Sequence, residues 1–300
     1  MRMSDKVIRP TVIALGYFDS VHRGHQRVIE VAKNYANEHG LTLTVFTFKG
    51  NLKAMLNADG DKMVYLPKER EKILKDLGAD EVYFAPVDFS FLSLGKKSFL
   101  TKINKKFDIK CYVSGKDYKF GKFGLGTVED LKAYSQEKGQ DYIVVDTLNA
   151  DDGKISTTRI KKLLTNGDVK KVNELLGREY SVTGTVYKDR MIGGALGFPT
   201  LNMRLDKDKF RLQDGVYSGD VDIDGKNYRT IINYGDRPTF NLVTKLIEAH
   251  VIDYDGDLYD RTLTVNFKAR MRDVKKFIDA ESLKEQLAID LAEVKAGKYD

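Results

Sequence analysis

Leu15-Gly16-Tyr17-Phe18-Asp19-Ser20-Val21-His22-Arg23-Gly24-His25-Gln26-Arg27-Val28 decides how the first half of this chain folds. The apolar run 12–15 reads as a buried strand. Beyond the turn, Val28, Ala32, Tyr35 and Ala36 recur at helical spacing, so a glycine-bearing strand-to-helix connection lies between. His22 falls in that turn and His25 at the helix start, where exposed N–H groups and the positive end of the helix dipole favour an anion. A phosphate is the expected ligand. On spacing alone, two histidines three apart on a solvated helix face are the competing reading.

Working outward, residues 41–48 form a second apolar, β-branched run, and Pro67 opens a helix over 68–77 that Gly78 stops. Strand 81–85, helix 96–107, strand 111–114, helix 128–138 and strand 142–145 follow. Such alternation predicts an α/β domain, a parallel sheet with helices on both faces, with ligands collecting beyond the carboxyl ends of the strands. The mixed charges of Lys68-Glu69-Arg70-Glu71-Lys72 read as a solvated helix face. Two loops after strands stand out. Gly115-Lys116-Asp117-Tyr118-Lys119-Phe120-Gly121 reads by itself as a flexible turn. In Ile155-Ser156-Thr157-Thr158-Arg159-Ile160 the hydroxyls are N-cap candidates for a helix through Leu163 and Leu164. Arg159 in its first turn is less ordinary, because the dipole disfavours a cation there unless an anion sits nearby.

Gly177-Arg178 marks the expected boundary between domains 1–178 and 179–300. Past it the hydrophobic period changes to two, and Asp224-Gly225 supplies a two-residue hairpin turn. Strands over 182–187, 216–223, 228–233, 245–253 and 262–269 predict an all-β second half, a small antiparallel barrel. Leu283, Leu287, Leu291 and Val294 line one side of a last helix that should pack across it. Leu196-Gly197-Phe198-Pro199-Thr200-Leu201-Asn202 reads as a turn, and Glu248 as a strand residue able to face water.

Three hundred residues suffice for two cores, and the balance of 42% hydrophobic and 31% charged residues fits a soluble globular chain. No transmembrane run and no signal-peptide core are evident, so a cytoplasmic setting is expected. Cys111 is the sole cysteine and can form neither an internal disulfide nor a cysteine metal cluster; a buried structural thiol is expected. The net charge of +6 is consistent with polyphosphate ligands and equally with weak nucleic-acid affinity, while the dispersal of the basic residues among acidic ones speaks against a dedicated nucleic-acid surface.

Gly16-x-Phe18-Asp19-x-x-His22-x-Gly24-His25 resembles the signature of adenylyl- and cytidylyltransferases, whose paired histidines touch nucleotide phosphates. With GKDYKFG and ISTTRI in this order, the first half is similar to the adenylyltransferase half of the bacterial bifunctional riboflavin kinase/FAD synthetases. Leu196 to Asn202, Ile232 to Phe240, Glu248-Ala249-His250 and Asp253 to Tyr259 resemble that family's riboflavin kinase module. The resemblance implies a Rossmann-like nucleotidyltransferase domain followed by a kinase barrel with a C-terminal helix. It implies that His22, His25 and Arg159 act on ATP phosphates, with Gly16, Phe18, Asp19, Gly24, Ser156 and Thr157 also at the nucleotide. Asp117, Phe120 and Asn233 are implied at the flavin. Gly197, Pro199, Thr200 and Asn202 are implied at the kinase ATP, Thr200 and Asn202 as ligands of Mg²⁺, and Glu248 as the base. ATP is then co-substrate, and riboflavin, FMN and FAD are substrates and products. The chain departs from the family pattern in Tyr17 and Ser20, in lacking Pro-His-Pro after Thr47-Phe48, and in the Met191-Ile192-Gly193-Gly194-Ala195 flap. Two rivals remain at this point: a monofunctional FAD synthetase with a weakened kinase module, and a flavin-responsive regulator that binds nucleic acid.

Overall fold

The apolar run at the front of the chain becomes β1 (Pro10–Leu15), the middle strand of a five-stranded sheet. The computed structural model describes residues 9–50, 62–151, 153–188, 200–239 and 242–299. Contacts divide the chain into two units, Met1–Thr157 and Thr158–Asp300.

In the first unit β1, β2 (Thr42–Phe48), β3 (Glu81–Ala85), β4 (Asp108–Gly115) and β5 (Asp141–Val145) lie in the order β3-β2-β1-β4-β5, every neighbouring pair parallel. Side chains of β1 alternate between two cores. Val12 and Ala14 meet helix Arg23–Glu38 and Leu74 of helix Pro67–Asp76 on one face, whereas Ile13 and Leu15 meet Phe99 and Ile103 of helix Lys96–Lys106 and Leu131 of helix Val128–Glu137 on the other. A strand covered on both faces is largely apolar or β-branched throughout, which is why 12–15 reads as a hydrophobic run and 41–48 as an apolar, β-branched one, with Thr44 and Thr47 buried. Strand order reverses at β1, between β2 and β4, and that switch point opens a crevice at the carboxyl ends. The expected α/β architecture is observed. A short helix, Phe89–Leu92, and a two-residue hairpin of β6 (Asn149–Ala150) and β7 (Gly153–Lys154) fall below the length at which periodicity speaks.

One expectation needs correction. Within Lys68-Glu69-Arg70-Glu71-Lys72, Arg70 is fully buried and Glu69 nearly so. Arg70 stands four residues before Leu74 and seven before Leu77, on the inward stripe of the helix. Glu69 closes a capping box, its carboxylate accepting from the Leu66 N–H at 2.7 Å.

The second unit holds helices Thr157–Thr165, which starts at the unit boundary, and Val169–Leu176, the latter ended by Gly177 in the left-handed conformation at φ 66°. A closed six-stranded barrel follows: β8 (Tyr180–Tyr187), β9 (Thr200–Arg204), β10 (Gly215–Ile223), β11 (Lys226–Thr239), β12 (Leu242–Val251) and β13 (Thr262–Arg272). Asp224 and Gly225 form the two-residue turn of the β10–β11 hairpin, both at positive φ as a type I′ turn requires. Tyr180, Tyr217 and Tyr234 pack their rings on Phe267 inside the barrel. Helix Ala280–Lys295 lies on the outer face, where Val294 joins Val216, Ile231 and Ile252. Leu283, Leu287 and Leu291 are only half-buried; the same helix instead buries Asp290, which Arg272 grips through Nε and Nη2 at 3.0 and 2.6 Å. The Thr200–Asn202 stretch, read above as a turn, is strand β9 between β8 and β12. No helix among the described residues is long and apolar enough to cross a membrane.

Candidate functional site

A cavity of about 590 Å³ opens at the switch point of the parallel sheet, within the size range of small-molecule sites. Its floor is the turn after β1. The Gly16 N–H donates to the Phe46 carbonyl at 3.2 Å, and a Cβ at residue 16 would lie 2.6 Å from the Phe18 ring, so only glycine lets the turn fold back this tightly. Phe18 and Val21 hold left-handed φ of 50° and 44° and are buried in the core, which fixes the backbone between them. Arg70 clamps the turn from below, Nη1 donating to the Tyr17 carbonyl at 3.0 Å and Nη2 to the Phe48 carbonyl at 2.7 Å. Burial in this apolar setting pulls the guanidinium below its ordinary value, with Tyr17 and Asp19 opposing.

His22 is the N-cap of helix Arg23–Glu38, its Nδ1 accepting from the His25 N–H at 3.1 Å. Because Nδ1 accepts, the neutral ring carries its proton on Nε2. The two imidazoles stack at 3.7 Å and 11°, and Phe18 meets the His25 ring edge-on at 5.2 Å. Both line the cavity with Gly16, Phe18, Gly24 and Ser156. Asp19 is buried, its Oδ1 accepting from the Val64 N–H at 3.0 Å, and Thr157 shares a hydroxyl hydrogen bond of 2.9 Å with Ser20.

The opposite walls differ in character. Asp117 lines the cavity in a 2.6 Å ion pair with Lys154, whose hydrogen bond holds its carboxyl below the usual carboxylate range. Lys116 and Lys119 are beside it. Farther along, Phe48, Phe91, Phe99 and Phe120 form a wall of rings, with Phe99 to Phe120 at 5.4 Å and Phe91 to Phe99 at 5.8 Å. One end of the cavity is thus suited to phosphates and the other to a flat aromatic group. Lys154, Phe91 and Phe99 were not picked out from sequence. Lys154 directly precedes the Ile155-Ser156 segment and was findable there, whereas Phe99 reads simply as part of helix 96–107 and Phe91 lies in a helix too short for its periodicity to show. Arg159 occupies the first turn of helix Thr157–Thr165 as expected, half-buried, in the second unit.

On the barrel, the sheet register aligns three polar residues. Asn233 of β11 is directly opposite Glu248 of β12, which is directly opposite Asn202 of β9. Directly paired residues share a face. The flanking rows, Ile232 with Ala249 and Leu201, and Tyr234 with Ile247 and Met203, are buried and point inward, so Asn233, Glu248 and Asn202 share the outer wall. Asn233 Nδ2 donates to Glu248 Oε2 at 3.2 Å. Thr200, one face-repeat from Asn202, pairs with His250, and its carbonyl accepts from Asn202 Nδ2 at 3.4 Å. Gly197, Pro199 and the 191–195 flap lie outside the described residues. No group of three or more His, Cys, Asp or Glu side chains could hold a metal among the described residues.

Residues 4–159 match the FAD synthetase family model and 176–297 the riboflavin kinase model. The bifunctional riboflavin kinase/FMN adenylyltransferase of Bacillus subtilis is 33% identical over 94% of this chain and 91% of its own length. The Haemophilus influenzae protein of the same name is 31% identical over 98% of this chain and 96% of its own. A crystal structure described as a macrolide-efflux protein from Streptococcus pneumoniae superposes with a TM-score of 0.87 at 33% identity, covering 97% of this chain and 96% of that one.

Proposed function

The chain belongs to the bifunctional riboflavin kinase/FMN adenylyltransferase family, and from that premise we propose how its two sites divide the chemistry. The enzyme phosphorylates riboflavin to FMN and adenylylates FMN to FAD, with ATP as donor in both steps. Riboflavin offers a neutral primary alcohol, which needs help to lose its proton. Glu248 is assigned that proton as the ribityl oxygen bonds to the γ-phosphorus, the β–γ bridging P–O bond breaks and ADP leaves, with Asn233 holding the carboxylate in place; their 3.2 Å contact in a three-strand polar row carries the assignment. Thr200 and Asn202 offer the oxygen donors that magnesium prefers, and Mg²⁺ takes most of its other ligands from water and substrate phosphates, so a side-chain cluster is not required. Bound there, it would offset phosphate charge.

FMN brings a phosphate whose second pKa is about 6 and is largely ionised near neutrality. Its oxygen bonds to the α-phosphorus of ATP while the α–β bridging P–O bond breaks and pyrophosphate leaves. The cavity of the first unit needs to align two anions, for which we assign His22, His25, Gly16, Gly24 and Ser156 to the nucleotide and Asp117 and Phe120 to the flavin side. Arg159 is kept as a phosphate contact on the resemblance of the ISTTRI segment. We place both reactions in the cytoplasm, with small molecules rather than nucleic acid as partners.

Purified protein given ATP, Mg²⁺ and either riboflavin or FMN tests this by chromatography of products. Glu248→Gln is expected to lower FMN formation by about 10²-fold or more and to spare FAD formation from FMN. His22→Ala is expected to do the reverse, and equal loss of both activities in either variant would overturn the division.

A further inference from the structure

Phe123 stands at the mouth of the first-unit cavity in a conformation that its own backbone disfavours. Its φ of 55° and ψ of 19° are left-handed, where an aromatic L-residue is strained, yet its side chain is 76% exposed and gains little from burial. The strain is held in place by its surroundings. Phe120 and Gly126 exchange two backbone hydrogen bonds of 3.1 and 2.8 Å, closing a five-residue loop, and the Lys122 N–H ties it to the Leu94 carbonyl at 2.7 Å. Gly121 and Gly124 supply left-handed residues without strain at φ 71° and 65°; only Phe123 bears a ring there. The loop therefore presents an aromatic face to the cavity at a cost in stability, the pattern expected where a residue serves a ligand rather than the fold.

We propose that Phe123 is a specificity-determining residue for FMN adenylylation, closing over the outer face of the isoalloxazine ring against the Phe91 and Phe120 wall. The proposal rests on the assignment of this cavity to FMN and ATP. The His22 and Asp117 end is polar and charged, so FMN anchored there by its phosphate has only the aromatic end in which to place its flat tricyclic ring. That ring covers apolar surface on both faces only if something stands outside it. Phe123 supplies the outer face with a two-torsion side chain on a pinned loop, so little conformational freedom is lost on closing.

Phe123→Gly separates a ligand-serving ring from a structural one, because the two roles predict opposite signs. Glycine adopts φ 55° without strain, so the unfolding temperature of the first unit is expected to hold or rise by a few degrees. The KM for FMN in adenylylation is expected to rise about 5- to 20-fold, the usual range for a lost aromatic stack, while the KM for ATP stays within about twofold. Riboflavin phosphorylation should not change, and Phe123→Tyr should restore the FMN KM. Because the chain contains no tryptophan, Phe123→Trp makes a sole tryptophan, excited selectively over the tyrosines, whose emission saturating FMN should quench strongly. A fall in unfolding temperature with an unmoved FMN KM, parallel rises in both KM values, or an unquenched tryptophan would overturn the proposal. If His22→Ala left FAD synthesis intact, the cavity assignment beneath it would fail instead, and the two failures are separable because the His22 variant leaves Phe123 untouched.

Discussion

Replacing Arg70 by methionine is expected to cripple FAD synthesis on warming while leaving riboflavin phosphorylation as it was. The guanidinium is fully buried and spans two loops, donating to the Tyr17 carbonyl at 3.0 Å and the Phe48 carbonyl at 2.7 Å, with Tyr17 and Phe84 rings each 5.5 Å from its carbon. Hydrogen bonds from a charged donor contribute roughly 1.5–3 kcal/mol each, and methionine fills similar volume while relieving the desolvation of the charge. The Tyr17 carbonyl keeps the Thr47 hydroxyl at 2.7 Å, so the greater loss falls on Phe48. About 3 kcal/mol is therefore expected for the first unit, and for a unit of this size that lowers the unfolding midpoint by about 6–12 °C. Heating the whole enzyme in steps, then assaying FAD and FMN formation on the same samples at 25 °C, uses the kinase as an internal reference. Arg70→Lys should recover part of the loss, because an ammonium keeps the charge but cannot reach two carbonyls in the same fork. Equal displacement of both inactivation curves, or none, would refute the reasoning.

The second unit has its own counterpart: Asp290→Ala leaves the half-buried Arg272 without its bidentate partner, and a loss of up to about 3 kcal/mol should lower the inactivation midpoint of the kinase before that of FAD synthesis. Lys154→Met should raise the KM for FMN by exposing the Asp117 charge to the flavin phosphate, and Lys154→Met with Asp117→Asn should return it most of the way; a double-mutant cycle that adds without coupling would contradict charge neutralisation. Cys111 is buried and its thiol is pushed up to about 12 by loss of water, with Asp141 adding to the shift. The folded state therefore keeps a proton that the unfolded chain releases near pH 8.5, so this contribution to stability is intact below that pH and fades as pH rises toward 12. Iodoacetamide at pH 8 should leave the native thiol unmodified and label it in urea; prompt native labelling would contradict its burial.

The elements that could be read from sequence were those whose burial is one-sided or complete over a whole segment. Strands β1 to β5 and the helices between them obey one periodicity each, so their order was legible and the position of the His22 turn followed from it. Strand β9 was hidden because Gly197 and Pro199 imply a turn, and nothing local announces that the chain resumes extended structure at Thr200 and pairs with β12, more than forty residues away. That pairing is what brings Asn202 beside Glu248. Arg70 and Asp290 were hidden for a related reason: a charged residue, whether in the run at 68–72 or between Ile289 and Leu291, reads as solvated, but position on the helix decides burial, and each charge is stabilised by partners remote in sequence. Lys154 was passed over because its significance lies in Asp117, thirty-seven residues earlier.

The two carboxylates nearest the proposed chemistry show why one chain can run both steps without confusion of roles. Asp117 has an ammonium 2.6 Å away, which holds its carboxyl low and makes it a poor proton acceptor. A base there would serve no purpose, since the attacking FMN phosphate is already ionised near neutral pH. Glu248 is instead directly opposite Asn233 and Asn202 in the sheet, and Asn233 Nδ2 donates to it at 3.2 Å, so a neutral amide orients the carboxylate. Exchanging these settings should therefore do more harm than deleting a charge. Asn233→Lys would place an ammonium within reach of Glu248 and is expected to slow FMN formation at pH 7 by stabilising the ionised carboxylate. Raising the pH through the lysine range should then restore part of the rate as the ammonium loses its proton. A rate that stays depressed at every pH would mean that the lysine merely blocks the site rather than acting through its charge, and would overturn the prediction.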